Sequence, residues 1–348
     1  MDFISMSIQG ENELTKLLRI LPDKPWNWHN ISSNPNINMK YVLDHPKALW
    51  KMGSLSCNPS VTIDDVIGNQ NMDWDWLWFS SNSGLTMRII NDHIDRPWNW
   101  RFVSLNRSIT MKDIKANPQI HWNSFYFGGK LDSNIADVLD DPDTFVAWAE
   151  LGRNPNITID DILAHPQLPW RWYYVSKNPT ITMKHVLENP YKHWNWGCLS
   201  ANPAITIEDV VSNPDKPWDW HQLSANPSIT IEDVLSNSPK PIDWTMLSAN
   251  PNISIKYVLA HFHGGWDWRF LSRNPTLTAN DVINNPQIPW NWEYMSGNLF
   301  LHSPFIQTMM IEKLSIFRSN YRSKIYETIL RSDSTLYSDF INSIMEYI

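Results

Sequence analysis

The chain has 348 residues, 42% of them hydrophobic, and carries a formal charge of −8 at pH 7. That balance argues against a whole-surface footprint for nucleic acid, and only 2 Cys fit a reduced, intracellular protein. No apolar run approaches the roughly 18 residues of a membrane helix and no basic leader opens the chain, so neither a membrane span nor secretion is expected.

Residues 1–21 contain LTKLLRIL and predict an N-terminal capping helix. From 22 to 298 one pattern recurs at a constant interval of 24 residues. Its marker is an asparagine: Asn34, Asn58, Asn82, Asn106, Asn154, Asn178, Asn202, Asn226, Asn250, Asn274 and Asn298, with Lys130 in the remaining place. A constant period of this length means a stacked array of one supersecondary unit. We therefore expect an all-α solenoid of about twelve repeats, each of two short helices, the second short enough to be partly 3₁₀. Residues 299–348 leave the pattern and predict a C-terminal helical cap.

The copy Asn202–Ala225, NPAITIEDVVSNPDKPWDWHQLSA, shows the unit. A Thr slot (Thr62, Thr110, Thr158, Thr182, Thr206, Thr230, Thr278) opens the first helix, and the Asp three residues after Thr62, Thr158, Thr206, Thr230 and Thr278 resembles a capping box. Apolar residues at the first, fourth and usually fifth helical positions predict a buried face, with Val or Ile at the fourth, as in Val210 and Val234. A second proline ends this helix, and the next is expected to start near the proline before the first Trp. A Ser slot, Gly at Gly128 and Gly152, predicts close backbone packing. The marker asparagine usually precedes proline, which leaves its side chain free to bond backbone; stacked in register, such side chains could form an internal ladder.

Of the 21 Trp, only Trp78 lies outside the W-x-W slots. The second slot includes Trp28, Trp100, Trp172, Trp196, Trp220, Trp268 and Trp292, three and four residues before the Leu/Val and Ser slots, so it is expected to be core. The first slot is expected to be mostly buried. The competing expectation is a ladder of exposed first-slot Trp stacking on sugars or bases.

The unit, with N-P every 24 residues and a helix just after it, resembles the leucine-rich-repeat variant. That resemblance implies a right-handed superhelix of alternating α and 3₁₀ helices. The wording of NPNITIDDILAHPQLPWRW and NPAITIEDVVSNPDKPWDW is similar to Trp-rich tandem-repeat proteins of nucleocytoplasmic large DNA viruses. This second likeness implies a viral origin and a place in the host cytoplasm or virion.

No catalytic, cofactor-binding or metal-ligating constellation stands out; with 11 Gly there is little scope for a phosphate-cradling loop. His261 and His263 form H-x-H, but His261 occupies a repeat slot, as His45 and His165 do. The weakest copy, from Ser124 to Gly152, is read as drift, with a hinge or partner site as the alternative. The expected function is a non-enzymatic scaffold for protein–protein interaction, a second copy of the chain being one candidate partner. A Trp-lined binder of carbohydrate or single-stranded nucleic acid is the alternative, and a structural virion or inclusion component a third. Candidate partner residues are Lys184, His185, Lys256 and Tyr257 in variable slots, and Arg318 and Arg322 on one face of the C-terminal segment.

Overall fold

The computed structural model describes residues 11–106, 108–130, 132–140, 148–237 and 243–300. They form short helices in twelve pairs, and no strand occurs among them. The first helices of units 1 to 12 begin at Glu13, Met39, Ile63, Met87, Met111, Ile135, Ile159, Met183, Ile207, Ile231, Ile255 and Ala279. The second helices begin at Trp28, Met52, Trp76, Trp100, Ser124, Trp148, Trp172, Trp196, Trp220, Trp244, Trp268 and Trp292; the one at Ser124 is 3₁₀. No described helix is long and apolar enough to cross a membrane.

Local chemistry sets each boundary. Thr62, Thr110, Thr158, Thr206 and Thr278 accept from the backbone N–H of the Asp three residues on, whose carboxylate accepts from the Thr N–H in return. The Asn or His before the second proline closes the helix end. Asn213 Nδ2 donates to Asp209 O at 2.8 Å, and His45 Nδ1 faces Tyr41 O at 2.9 Å, which fits its Nδ1–H tautomer. The second helix starts later than the sequence suggested, at the second Trp rather than near the proline. The residue between the two Trp is its N-cap: Asn27, Asp75 and Asp219 each accept from two N–H groups of the first turn.

The array closes on itself. Within the chain, Asn58 Nδ2 donates to the carbonyls of Ser32, Asn34 and Ile37 in the preceding unit, each at 2.9 Å. Asn34 has no preceding unit in sequence, yet its Nδ2 donates to Ser296 O at 3.1 Å and Asn298 O at 2.9 Å. Unit 12 thus stands before unit 1 as each unit stands before the next. The N-terminal helix Glu13–Ile20 packs on the helix Ala279–Asn284 and serves as the first helix of unit 1. Glu13 accepts from Ala279 N–H, and Lys16 Nζ donates to Asn280 Oδ1 at 2.9 Å. One buried cluster joins Leu14, Leu17 and Leu18 to Leu277, Val282, Met295 and Phe300 across this joint. The N-terminal segment expected as a cap thus holds a helix, Glu13–Ile20, that serves as the first helix of unit 1 between the array's two ends. The C-terminal cap predicted over 299–348 falls almost wholly outside the described residues.

Most neighbouring second helices pack closely around the ring, whereas among first helices only the pair across the joint does. The more tightly spaced layer has the shorter perimeter. Second helices therefore line the inner wall and first helices the outer. The fourth-position Val210 and Val234 are buried between the layers. The fifth position departs from expectation: Val211 is 54% exposed, and Leu43, Leu187 and Leu235 are exposed too. One residue step turns a helix by about 100°, so the fifth position lies about 100° from the fourth and sits at the flank of the buried face; Ile67 and Leu163 there still pack partly against the core.

Candidate binding surface

The residues that recur in every unit are consumed by the ring itself. Each marker asparagine is buried and works in two directions. Its Oδ1 accepts from the N–H two residues on, fixing its own turn, as Asn178 does for Thr180 at 3.0 Å. Its Nδ2 reaches back one unit: Asn154 to Lys130 O, Asn202 to Asn178 O, Asn226 to Asn202 O, Asn250 to Asn226 O, Asn274 to Asn250 O. The Ser slot is a second relay. Ser200 Oγ donates to Trp196 O at 2.7 Å and accepts from the N–H of Asp219 in the next unit at 3.0 Å. Asn27 N–H donates to Ser296 Oγ at 2.9 Å, repeating the same bond across the joint.

Lys130 joins the ladder. It is buried, and its Nζ donates to Ser104 O at 2.5 Å and Asn106 O at 2.7 Å, the two carbonyls an asparagine would take. A long ammonium thus replaces an amide in register.

Both Trp slots pack between units. Second-slot Trp172 and Trp196 meet first-slot Trp194 and Trp218 of the following unit edge to face, at 4.8 and 5.0 Å. Trp28, Trp100 and Trp268 are likewise half-buried against the core, and Trp292 meets Trp26 across the joint at 5.0 Å. Such pairs contribute about 0.5–1.5 kcal/mol beyond area burial. The first slot is the more enclosed: Trp26, Trp98, Trp266 and Trp290 are buried, and no second-slot Trp is. First-slot indoles also donate N–H to the carbonyl five residues back, Trp218 to Asn213 O and Trp266 to His261 O, both at 2.9 Å. A helix containing both residues would bury the second slot more deeply. Instead the first Trp precedes that helix and plugs the gap between the layers.

The sequence-predicted partner residues lie on the outer wall in two places. Lys184 is exposed and pairs with Glu188 at 3.8 Å. His185 takes the capping role of Asp, its Nδ1 accepting from Thr182 N–H at 3.2 Å. Lys256 is exposed, three units away, while the Tyr257 ring stacks on His261 at 4.1 Å. These four form no single patch, and two of them have local structural roles. Arg318 and Arg322 lie outside the described residues.

The positions that vary most in chemistry face the opening. Each second helix presents there the two residues after its first, and the sixth. Units 3 to 5 offer Leu77, Trp78, Arg101, Phe102, Leu105, Phe125 and Tyr126; unit 7 offers Tyr173, Tyr174 and Lys177. Trp78 meets Phe102 at 5.8 Å, and Phe125 meets Tyr126 at 5.4 Å. Elsewhere on the inner wall the same positions include the small Gly53, Gly197, Ala201, Ala225 and Ala249, the pair Glu150 and Arg153 in unit 6, and Arg269, Phe270 and Arg273 in unit 11. At the joint, Asn30, Ser33, Arg273, Glu293, Tyr294 and Gly297 line a half-open polar notch of about 370 Å³. The repeat pattern does not single out this face, although Trp78, the one tryptophan outside the repeat slots, lies on it.

Burial pushes the thiols of Cys57 and Cys198 above the ordinary cysteine range, so neither is poised as a thiolate. Among the described residues no group of three or more His, Cys, Asp or Glu is placed to hold a metal ion. No protein-family model matches the chain, and neither a curated protein nor a solved structure is detectably similar to it.

Proposed function

We propose that the protein is a non-enzymatic ring scaffold that binds protein partners. One observation carries this reading. The repeat-invariant side chains are spent on internal bonds, while the freely varying ones gather exposed aromatic and cationic groups on one face. Aromatic residues and Arg are the types that dominate binding energy at protein interfaces. The wording shared with viral Trp-rich repeats supports an origin in a large DNA virus. Affinity purification of the tagged chain from the cells that naturally make it tests the proposal. Reproducible protein partners are expected; recovery of none, itself included, would overturn it.

The Trp-ladder alternative needs first-slot indoles in solvent. Here they are buried or half-buried with their N–H groups bonded, which weighs against that route. Iodide quenching of tryptophan fluorescence checks it, with weak quenching of most indoles expected. Closure also removes the free ends through which an open array would assemble, which weighs against a self-assembling structural component. A monodisperse monomer in sedimentation is expected.

A further inference from the structure

The inner wall is uneven. Trp78, Phe125 and Tyr173 are 46%, 56% and 47% exposed on one arc, whereas across the ring the same positions hold mainly polar or small residues such as His221, Gln222, Thr245 and Ala249, with Phe270 the large exposed apolar side chain there. Exposed aromatic surface concentrated in this way marks an interaction site. Its bias to one arc fits a ligand lying along the arc rather than one filling the ring symmetrically. Helix spacing of about 8–10 Å puts opposite inner helices of a round twelve-unit ring roughly 30–40 Å apart. Subtracting one helix diameter of about 10–12 Å leaves an opening of roughly 20–25 Å. That admits an extended segment or a single helix. A second ring cannot enter, because its outer wall is wider than the opening.

Charge selects the occupant. The chain is acidic overall, and its acids concentrate on the first helices of the outer wall, as Thr-slot capping requires. On the arc, Arg153 is paired with Glu150 at 2.7 Å, whereas Arg101 is exposed with no carboxylate paired to it among the described residues. Lys177 is exposed, with its Nζ 4.8 Å from the Tyr173 ring centroid. Two such cations spaced across several units cannot follow a phosphate on every nucleotide, as single-strand binding demands. They do suit carboxylates spaced along a polypeptide.

We infer that the arc from Trp78 to Lys177 docks an acidic, extended segment of a partner protein. The inference rests on the protein-binding reading above and adds the site and the partner's chemistry. The test uses the full chain in its natural cells, with p-benzoylphenylalanine at Phe125 or Tyr173, and at Val211 on the outer wall as comparator. Expected are adducts from Phe125 and Tyr173 that map to acidic segments of a partner. The double variant Arg101→Glu/Lys177→Glu should lower their yield by about tenfold or more, with an unchanged urea midpoint. Adducts from Val211 alone, or none although the tagged chain co-purifies a partner, would overturn the arc and leave the scaffold reading standing. Adducts mapping to neutral or basic segments, or indifferent to charge reversal, would overturn the acidic class. Nucleic acid in the arc adducts would replace the polypeptide altogether. Absence of both adducts and partners would overturn both readings.

Discussion

Lys130 shows what a single slot of the ring demands. The position needs donors aimed at carbonyls of the preceding unit, and Lys supplies them to Ser104 O and Asn106 O as Asn does elsewhere. Those carbonyls close the helix Trp100–Leu105, where the helix dipole favours a cation. Replacing Lys130 by Met keeps length and removes the donors. A buried polar group left unpaired costs about 1–3 kcal/mol, so Lys130→Met is expected to lose about 2 kcal/mol or more in urea unfolding, and Lys130→Asn less. At Asn58 the isosteric change to Asp turns an amide that donates to three carbonyls into a carboxylate facing them. The protonated acid alone can donate there, so the folded state raises its pKa above the unfolded value of about 3.9. Stability of Asn58→Asp is therefore greatest below that value and falls as pH rises through it, which urea midpoints against pH would show. Gly264 is limited by space: a Cβ there would lie 2.9 Å from the Trp244 ring. Gly264→Ala is expected to cost about 1–3 kcal/mol by overpacking. The asparagine ladder was legible because one residue type held at one fixed interval implies one contact repeated between units. Lys130 read as a break in it, since its equivalence depends on reach and direction, which spacing does not encode.

Each helix is only one to two turns long, too short to persist alone in water, so caps and packing carry it. Thr206→Ala removes the acceptor for Asp209 N–H and half of a capping box. A loss of about 1 kcal/mol is expected. Hydrogen exchange should accelerate at the start of the helix Ile207–Ser212, with amides in distant units unchanged, because solenoid units interact chiefly with their neighbours. The Thr–Asp boxes and the Val/Ile slot were legible because capping and the i, i+3 line are local. The N-cap role of the residue between the two Trp was not, because Pro before the first Trp looked like the helix start. The fifth-position aliphatics misled in a similar way. Their apolar character suggested burial, yet Val211 and Leu187 are exposed on the outer wall, because the fifth position sits at the flank of the face that the first and fourth bury. The aromatic arc stayed hidden because inward and outward faces exist only once the curvature is known.

Curvature belongs to the whole molecule, and here it completes a ring. Closing a loop of 264 residues, the separation of Asn34 and Asn298, costs roughly 5 kcal/mol of chain entropy. Leu14 and Leu17 are fully enclosed in the cluster at the joint, together with Leu18, Leu277 and Val282. At about 1.5–3 kcal/mol per buried aliphatic side chain, that cluster outweighs the entropy without help from the hydrogen bonds. No step of the 24-residue period announces this, since an open array would use the same unit with a slightly smaller turn. A circular permutant separates the two architectures. Asn12 Nδ2 donates to Asn36 O at 2.6 Å and Asn36 Nδ2 donates to Leu299 O at 2.8 Å, so one residue touches both ends of the ring. A few glycines should therefore join Phe300 to Glu11. New termini are placed beside Tyr191, which is 95% exposed in the link between the helices Met183–Glu188 and Trp196–Ser200. The permutant should match a parent chain ending at Phe300 in helical content and remain a monomer, with a urea midpoint close to the parent's. In an open array the same short linker would have to span the separation of the two ends, and the permutant would misfold or associate. A monomeric, cooperatively unfolding permutant is the outcome that only the closed ring allows.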